Sequence, residues 1–185
     1  MIDDVLAEVK QAGESAKEAL KRELSKLRTG RAHAGMLDGL RVDYYGVSTP
    51  IAQMASIGVP EARMLSVKPW EKNQMAAIER AIRESNLGLN PQNDGDVIRI
   101  PVPALSEERR RDLVKLARKH GEDAKVAVRK GRHEALDLLG DLKKEGSVSE
   151  DEADRAKKKV EETVAEATNN IDQILAAKEK EVLTV

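Results

Sequence analysis

The chain has 185 residues, of which 35% are charged and only 2% are aromatic, and it contains neither Phe nor Cys. The absence of cysteine excludes disulfides, thiolate catalysis and cysteine zinc ligands. A net charge of −1 excludes a polycation that coats nucleic acid without selectivity, so any contact with nucleic acid must come from local charge asymmetry.

Residues 2–28 are predicted to form the first helix. Apolar side chains recur every three or four residues from Ile2 to Leu27, with Lys and Glu between them. Gly30 is expected to end this helix, because glycine readily adopts the left-handed conformation that often follows a helix C-terminus.

Residues 31–104 change to a mixed pattern and are predicted to form a small α/β unit. Alternating apolar residues and turn signals predict four strands and one helix. The strands are expected at residues 40–46, 56–59, 64–68 and 97–100, and the helix at residues 73–84. Residues 47–50 are predicted to turn the chain after the first strand. The polar run at 90–96 is predicted to be a turn as well, because its residues do not fit the ligand spacing of a calcium loop.

Residues 106–145 are predicted to form a single long helix. Pro101 and Pro103 exclude helix before it, and two glutamates follow at its positive end. Apolar or small residues recur at a spacing of three and four throughout, with His120 expected at one core-facing position. At 1.5 Å per residue such a helix would be roughly 60 Å long.

The cations of this long helix are predicted to lie along one line, opposite its apolar side. This basic line comprises Arg111, Arg118, Lys125, Arg129 and Arg132. Because Glu122 is the one carboxylate that interrupts the line, the arginines are expected to have few partners, and guanidinium groups suit phosphate. Two interpretations remain open, namely a solvated outer face and a contact with an RNA or DNA backbone.

A capping box at Ser149 and Glu152 predicts the start of a third long helix after a tight turn at 146–148. Three long amphipathic helices can bury their apolar sides only against one another, which predicts a three-helix bundle of residues 1–30 and 105–185 with residues 31–104 inserted. The two chain crossings predict a hinge. Its residues are Thr29, Gly30, Arg31, Pro103, Ala104 and Leu105.

The sequence carries no recognisable signal for catalysis, a cofactor or targeting. The three histidines are scattered, no nucleophile–base order stands out, and the glycine-rich phosphate loops are missing. The N-terminus lacks the basic start and apolar run of a signal peptide, and no stretch could span a bilayer. We therefore expect a monomeric, cytoplasmic protein that is not an enzyme and holds no metal or other cofactor.

Five short motifs occur in a specific order and spacing along the chain. They are residues 25–32 (SKLRTGRA), 43–50 (DYYG through TP), 87–91 (LGLNP), 106–111 (SEERRR) and 126–129 (VAVR). In combination they resemble the bacterial ribosome recycling factor family over essentially the whole chain. The resemblance implies an L-shaped α+β molecule, in which a long antiparallel three-helix bundle is joined by a hinge to a small inserted α/β domain.

The same resemblance implies a translation factor that hydrolyses nothing itself. It would bind the post-termination ribosome and, with elongation factor G and GTP, promote subunit splitting and release of messenger RNA and tRNA. The bundle would lie on large-subunit ribosomal RNA and the small domain would meet the GTPase, with no DNA or membrane as partner. By match to the family's RNA-contacting arginines and by the basic line, the expected rRNA-binding residues are Arg28, Arg110, Arg111, Arg118, Lys125, Arg129 and Arg132.

Two other functions remain open from the residues alone. A coiled-coil adaptor that binds partner helices would need an apolar stripe left over once the bundle has closed. An enzyme built on residues 31–104 would need a convergent histidine, aspartate or glycine loop, which that segment lacks. The resemblance assigns no role to Trp70. It marks Gly131 as a departure from the family pattern, where we expect a small packing loss of about 1 kcal/mol relative to alanine.

Overall fold

The computed structural model describes residues 1–184 as two compact units. Unit 1 combines Met1–Arg28 with Glu107–Thr184, and unit 2 is Thr29–Ser106. Each border therefore falls two residues from the predicted one, at 28/29 instead of 30/31 and at 106/107 instead of 104/105. Val185, which the sequence analysis placed in the bundle, lies outside the described residues.

The described residues form four α-helices, three of which build unit 1. They are α1 (Ile2–Ser25), α2 (Met75–Glu84), α3 (Glu107–Lys144) and α4 (Glu150–Thr184). Helices α1, α3 and α4 pack on one another as an antiparallel bundle, and α2 belongs to unit 2. The predicted α+β class, with a bundle of long helices and a small sheet-containing unit inserted between them, is confirmed. No helix within residues 1–184 is long and apolar enough to cross a bilayer.

Helix α1 ends at Ser25, three residues before the predicted end. The amides of Lys26 and Leu27 bond to carbonyls only three residues back, at 3.2 Å each, which tightens the last turn and stops the α-helix. Gly30 does adopt the predicted left-handed conformation, with φ +79°, but it lies in unit 2 against Leu105. The start of α4 is as predicted, because Ser149 and Glu152 bond reciprocally as a capping box.

Small residues let the three long helices approach closely. A Cβ atom on Gly131 would lie 2.9 Å from the Cβ atom of Ala12, so α1 already fills this space and the predicted packing loss at Gly131 is wrong. The core position predicted for His120 belongs to its neighbour Gly121, which is buried while His120 is half-buried. The apolar sides of α1, α3 and α4 form two shared clusters, so within residues 1–184 the bundle buries the apolar stripe that the adaptor hypothesis would need.

Unit 2 contains a hairpin, a four-stranded antiparallel sheet and helix α2. The hairpin is β1 (Arg41–Tyr44) and β2 (Val47–Pro50). The sheet has the order β3-β4-β6-β5, with β3 (Ala55–Glu61), β4 (Met64–Pro69), β5 (Gln92–Asn93) and β6 (Ile98–Pro101). Apolar residues of α2 and of the strands, such as Ile78, Leu65 and Ile100, are fully buried in one core.

Two turn predictions in unit 2 are wrong. Residues 47–50 form strand β2, and the chain instead reverses at Tyr45 and Gly46, whose φ angles are +49° and +83°. Two consecutive residues with positive φ form the tight turn whose twist matches that of the flanking strands. The Asp43 carboxylate stabilises this turn by accepting a hydrogen bond from the Gly46 amide at 2.8 Å. In the predicted turn at 90–96, Gln92 and Asn93 pair with β6 as the short edge strand β5.

Candidate nucleic-acid interface

Helix α3 carries six of the seven predicted RNA-binding residues. Its buried side points into the bundle through residues such as Leu113, Val128 and Leu139, which leaves the charged residues on the other sides. The cations divide into three groups by what they contact: carboxylates on α4, carboxylates on α3 itself, and the C-terminal end of α4.

Three cations of the basic line pair with carboxylates from α4. The Arg118 guanidinium donates to Glu179 at 2.6 and 3.1 Å, and the Lys125 ammonium lies 2.7 Å from Asp172. The Arg132 guanidinium meets Glu161 with Nε–O distances of 2.9 Å. Three of the five cations of the basic line therefore lie against α4, and the expectation that the line has few carboxylate partners is wrong. These carboxylates lie 29 to 61 positions away in the chain from the cations they pair with. A helical wheel of α3 alone therefore could not show them.

These cross-helix pairs perturb the pKa values of two glutamates on α4 and of Lys125 on α3. The hydrogen bond from Arg132 lowers the pKa of Glu161, and the bond from Arg118 lowers the pKa of Glu179. The hydrogen bond to Asp172 raises the pKa of Lys125, against a smaller effect of burial. The Arg118 side chain remains 65% exposed and that of Arg132 40%, so solvent screens both pairs and a phosphate could compete for the guanidinium groups.

Arg129 and Arg111 face solvent and meet only carboxylates of their own helix. The Arg129 guanidinium donates to Glu122 at 3.3 Å, and that of Arg111 lies 3.6 Å from Glu107. Both side chains are well exposed, at 63% and 75%. Single-point contacts of this length between exposed groups hold a guanidinium loosely. Among the predicted cations of α3 that pair with a carboxylate, these two arginines are therefore exposed and form no ion pair with the described residues of α4.

Arg110 and Arg28 lie apart from the basic line. Arg110 is half-buried and donates to the carbonyl of Leu183 at 3.5 Å, so it holds the ends of α3 and α4 together. Arg28 is exposed in the segment that follows α1. The fold thus brings Arg118, Lys125, Arg129 and Arg132 onto adjoining sides of one helix.

The predicted hinge residues form two segments that contact each other within unit 2. Thr29 and Gly30 are buried, and a Cβ atom on Gly30 would lie 3.1 Å from Cγ of Leu105. Arg31, Pro103 and Ala104 have an exposed or partly exposed surface. Next to these segments, Ala32 and Val102 donate to the carbonyls of the β3–β4 turn at 2.8 Å each.

The residues that the sequence reasoning missed are the acidic partners on α4. Arg118, Lys125 and Arg132 repeat every seven residues, and Asp172 and Glu179 show the same spacing in the antiparallel direction. This heptad spacing of opposite charges was the available signal for the Arg118 and Lys125 pairs, whereas Glu161, eleven residues before Asp172, breaks it. Within residues 1–184 no group of three His, Asp or Glu side chains could hold a metal ion.

The fold defines a class of protein: an α+β protein with a bundle of three long helices, one of which carries a row of cations, and a separate α/β unit. The sequence model described as "Ribosome recycling factor" matches residues 20–183. The chain therefore belongs to the ribosome recycling factor family, as the sequence motifs indicated.

Full-length relatives support this assignment. The ribosome-recycling factor of Sorangium cellulosum (strain So ce56) is 62% identical over 185 residues, which is 100% of both chains. That of Mycobacterium sp. (strain KMS) is 50% identical over the same full length. Both relatives match this chain from end to end, so the likeness extends over both structural units.

Two solved structures share the fold. A solution structure of the ribosome recycling factor superposes with a TM-score of 0.68 at 38% identity, covering 100% of this chain and 98% of the other. The T. thermophilus ribosome recycling factor, described together with E. coli elongation factor G bound to the E. coli post-termination complex, gives a TM-score of 0.61 at 43% identity and 99% coverage of both chains.

Proposed function

We propose that this protein recycles ribosomes. It binds the post-termination ribosome and, with elongation factor G and GTP, promotes subunit splitting and release of messenger RNA and tRNA. The observation that carries this proposal is the full-length likeness to ribosome-recycling factors, one of which is described on a post-termination complex with elongation factor G. Since the GTPase is the partner, we further propose that the chain itself catalyses no reaction and that it acts in the cytoplasm, where bacterial ribosomes are.

We infer that α3 contacts large-subunit ribosomal RNA and that Arg129 is the leading contact. Arg129 is exposed and held by one long bond to Glu122, so its guanidinium can turn to a phosphate at little cost. Arg111 has the same accessibility nearer the start of α3. Arginine suits this role because its planar fork binds two phosphate oxygens at once.

The cations paired with α4 are proposed to contact RNA by exchanging a carboxylate partner for an RNA phosphate. Arg132, Arg118 and Lys125 already have carboxylate partners, so a phosphate must displace or share those partners. Arg132 is the main candidate, because it lies about one helical turn from Arg129 on the adjoining side of α3. Its partner Glu161 then weakens RNA binding at this point and limits it to phosphates that fit both arginines.

Arg110 and Arg28 are proposed to contribute to ribosome binding in different ways. Arg110 bonds the carbonyl of Leu183, and its contribution to ribosome binding is expected to come mainly from fixing the ends of α3 and α4. Arg28 is exposed at the border of the two units and is available to a phosphate. Substituting Arg110 should therefore lower the stability of the bundle, whereas substituting Arg28 should not.

The first test is co-sedimentation with separated large ribosomal subunits across a salt series. Wild-type binding should be saturable and fall steeply with salt, because each phosphate contact releases counterions. Arg129→Ala should weaken binding by about tenfold and lower the salt slope by about one. Arg155→Ala is the matched control, since Arg155 is an exposed arginine on α4 outside the proposed surface. Equal effects of the two substitutions would remove Arg129 from the interface.

The recycling activity itself needs a second assay. Purified protein, elongation factor G and GTP should split post-termination ribosomes together, whereas omission of any one should stop splitting. The isolated protein should hydrolyse no GTP. Splitting without elongation factor G, or GTP turnover by this chain alone, would contradict the proposed division of labour.

The segments 29–31 and 103–105 are proposed to act as a hinge during splitting. They contact each other through Gly30 and Leu105. Cysteines introduced at Leu105 and at Thr29, the neighbour of Gly30, are proposed as the cross-link that tests the hinge. The oxidised double variant should still bind large subunits but split ribosomes more slowly, and reduction should restore the rate. An unchanged rate in the oxidised protein would show that splitting requires no motion of these two segments relative to each other.

A further inference from the structure

All three aromatic residues of this chain gather at one place in unit 2. The sequence contains one Trp, two Tyr and no Phe. Tyr44 and Trp70 line a cavity of about 250 Å³ in the α/β unit. The Tyr45 ring meets Tyr44 edge-on, with ring centroids 4.7 Å apart. The buried cores of both units are aliphatic, and the whole aromatic complement lies at one site, with Tyr44 packed at the edge of the unit 2 core.

Two of these aromatic side chains are mostly exposed to solvent. Trp70 is 66% exposed and Tyr45 is 69% exposed. Tyr45 also has a φ of +49°, the one left-handed conformation of a non-glycine residue within 1–184. Such a backbone is unfavourable for a bulky side chain, and residues of this kind concentrate at binding sites. The hydroxyl of Tyr45 accepts a hydrogen bond from Asn73 at 2.9 Å, which fixes the outward ring.

A carboxylate lies between the aromatic residues. Glu71 accepts hydrogen bonds from the hydroxyls of Tyr44 at 2.7 Å and Tyr45 at 3.4 Å. Among the described residues that line the cavity, Glu71 alone is charged. The adjacent Lys72 is neutralised by an ion pair with Asp96 at 2.6 Å. The site thus combines aromatic faces with a negative charge, which attracts a cation and repels a phosphate.

We propose that Tyr45, Trp70 and Glu71 form a docking site for an arginine side chain presented by a protein partner. A guanidinium can stack on the aromatic faces while its edge donates two hydrogen bonds to a carboxylate. Lysine offers no flat face for stacking, and nucleic acid would bring its phosphates to Glu71. The site lies in unit 2 and does not depend on the RNA contacts proposed for α3.

The single tryptophan makes this site directly observable. Fluorescence excited selectively at tryptophan reports Trp70 alone, because the chain has one tryptophan. We would titrate the protein with the peptide Gly-Gly-Arg-Gly-Gly and, separately, with the same peptide carrying citrulline, which has nearly the shape of arginine but no charge. The arginine peptide should give a saturable change, and the citrulline peptide should bind about fivefold more weakly or worse. This pair of titrations uses the native chain and needs no variant.

A substitution of Glu71 then tests whether its negative charge binds the arginine side chain. Glu71→Gln keeps an acceptor for the tyrosine hydroxyls but removes the charge, and should weaken the arginine peptide by about fivefold. Glu84→Gln is the matched control, because Glu84 is an exposed acid at the opposite end of α2 and should leave binding unchanged. Equal binding of the two peptides, or no saturable change up to about 50 mM peptide, would overturn the proposal. Stronger quenching by a short oligouridylate, undiminished in Glu71→Gln, would instead make the site a base-stacking platform and likewise overturn it.

Discussion

Gly121 and Gly140, two glycines of the same helix, should respond oppositely to substitution by alanine. A Cβ atom on the buried Gly121 would lie 2.2 Å from Cδ1 and 2.9 Å from Cγ of Leu175 on α4, so this leucine must move. Overpacking of this kind costs about 2 kcal/mol, and the better helix propensity of alanine returns about 1 kcal/mol. Gly140 has no atom within 4 Å of the same position. Gly140→Ala should therefore stabilise the protein by about 1 kcal/mol, and Gly121→Ala should destabilise it by about 1 kcal/mol.

Equilibrium urea unfolding can measure both substitutions with two probes. Far-UV circular dichroism follows mainly the long helices of unit 1, while the fluorescence of Trp70 follows unit 2. The difference between the two variants should appear in the circular dichroism transition, with a midpoint shift and an unchanged slope. Gly121→Ala should also loosen the adjacent pairs of Arg118 and Lys125 with α4, because Leu175 would be pushed outward. If both variants stabilised the protein equally, Leu175 would not fill the space beside Gly121, and the packing described for α3 and α4 would be refuted.

Three further predictions concern the interface, the pH response and the hairpin. Glu161→Gln should strengthen binding to large subunits by about threefold in the co-sedimentation assay, because it releases Arg132 for phosphate; unchanged or weaker binding would show that Arg132 acts through its pair. The pKa values of Glu161 and Glu179 lie below their ordinary value of 4.5, so their contribution to stability is complete above that pH and is lost as the pH falls through the lowered values. Acid unfolding followed by circular dichroism should therefore be less steep in Glu179→Gln than in the wild type, and an identical pH profile would contradict the role of the Arg118 pair. Gly46→Ala should destabilise unit 2 by about 1 kcal/mol through its φ of +83° alone, since no atom lies within 4 Å, and urea unfolding followed at Trp70 would test this.

Local signals predicted the helices well and the hairpin poorly. The start of α4 followed from Ser149 and Glu152, because a capping box is formed by residues three apart in the chain. The hairpin turn was missed because Tyr45 stands where asparagine or aspartate is usual, so the sequence showed no turn signal there. Short elements such as β5 depend on pairing with a distant strand and have little pattern of their own.

The electrostatic surroundings of the candidate interface could not be predicted from α3 alone. The helical wheel correctly grouped Arg118, Lys125 and Arg132, because that grouping needs only the helix period. Whether those cations were free or paired depended on which side of α3 faces α4, and on residues up to 61 positions away. The same limit applied to Gly131, which looked like a packing loss until Ala12 was found against it.

The sequence by itself determined the family, the fold class, the three long helices and the set of cations on α3, because each depends on order and spacing along the chain. The tertiary structure alone decided which cations have carboxylate partners, where glycine lets helices approach, and that every aromatic residue gathers beside Glu71. The physical reason is that burial and ion pairing are set by distances in space of a few ångströms, between side chains that the sequence separates by tens of residues.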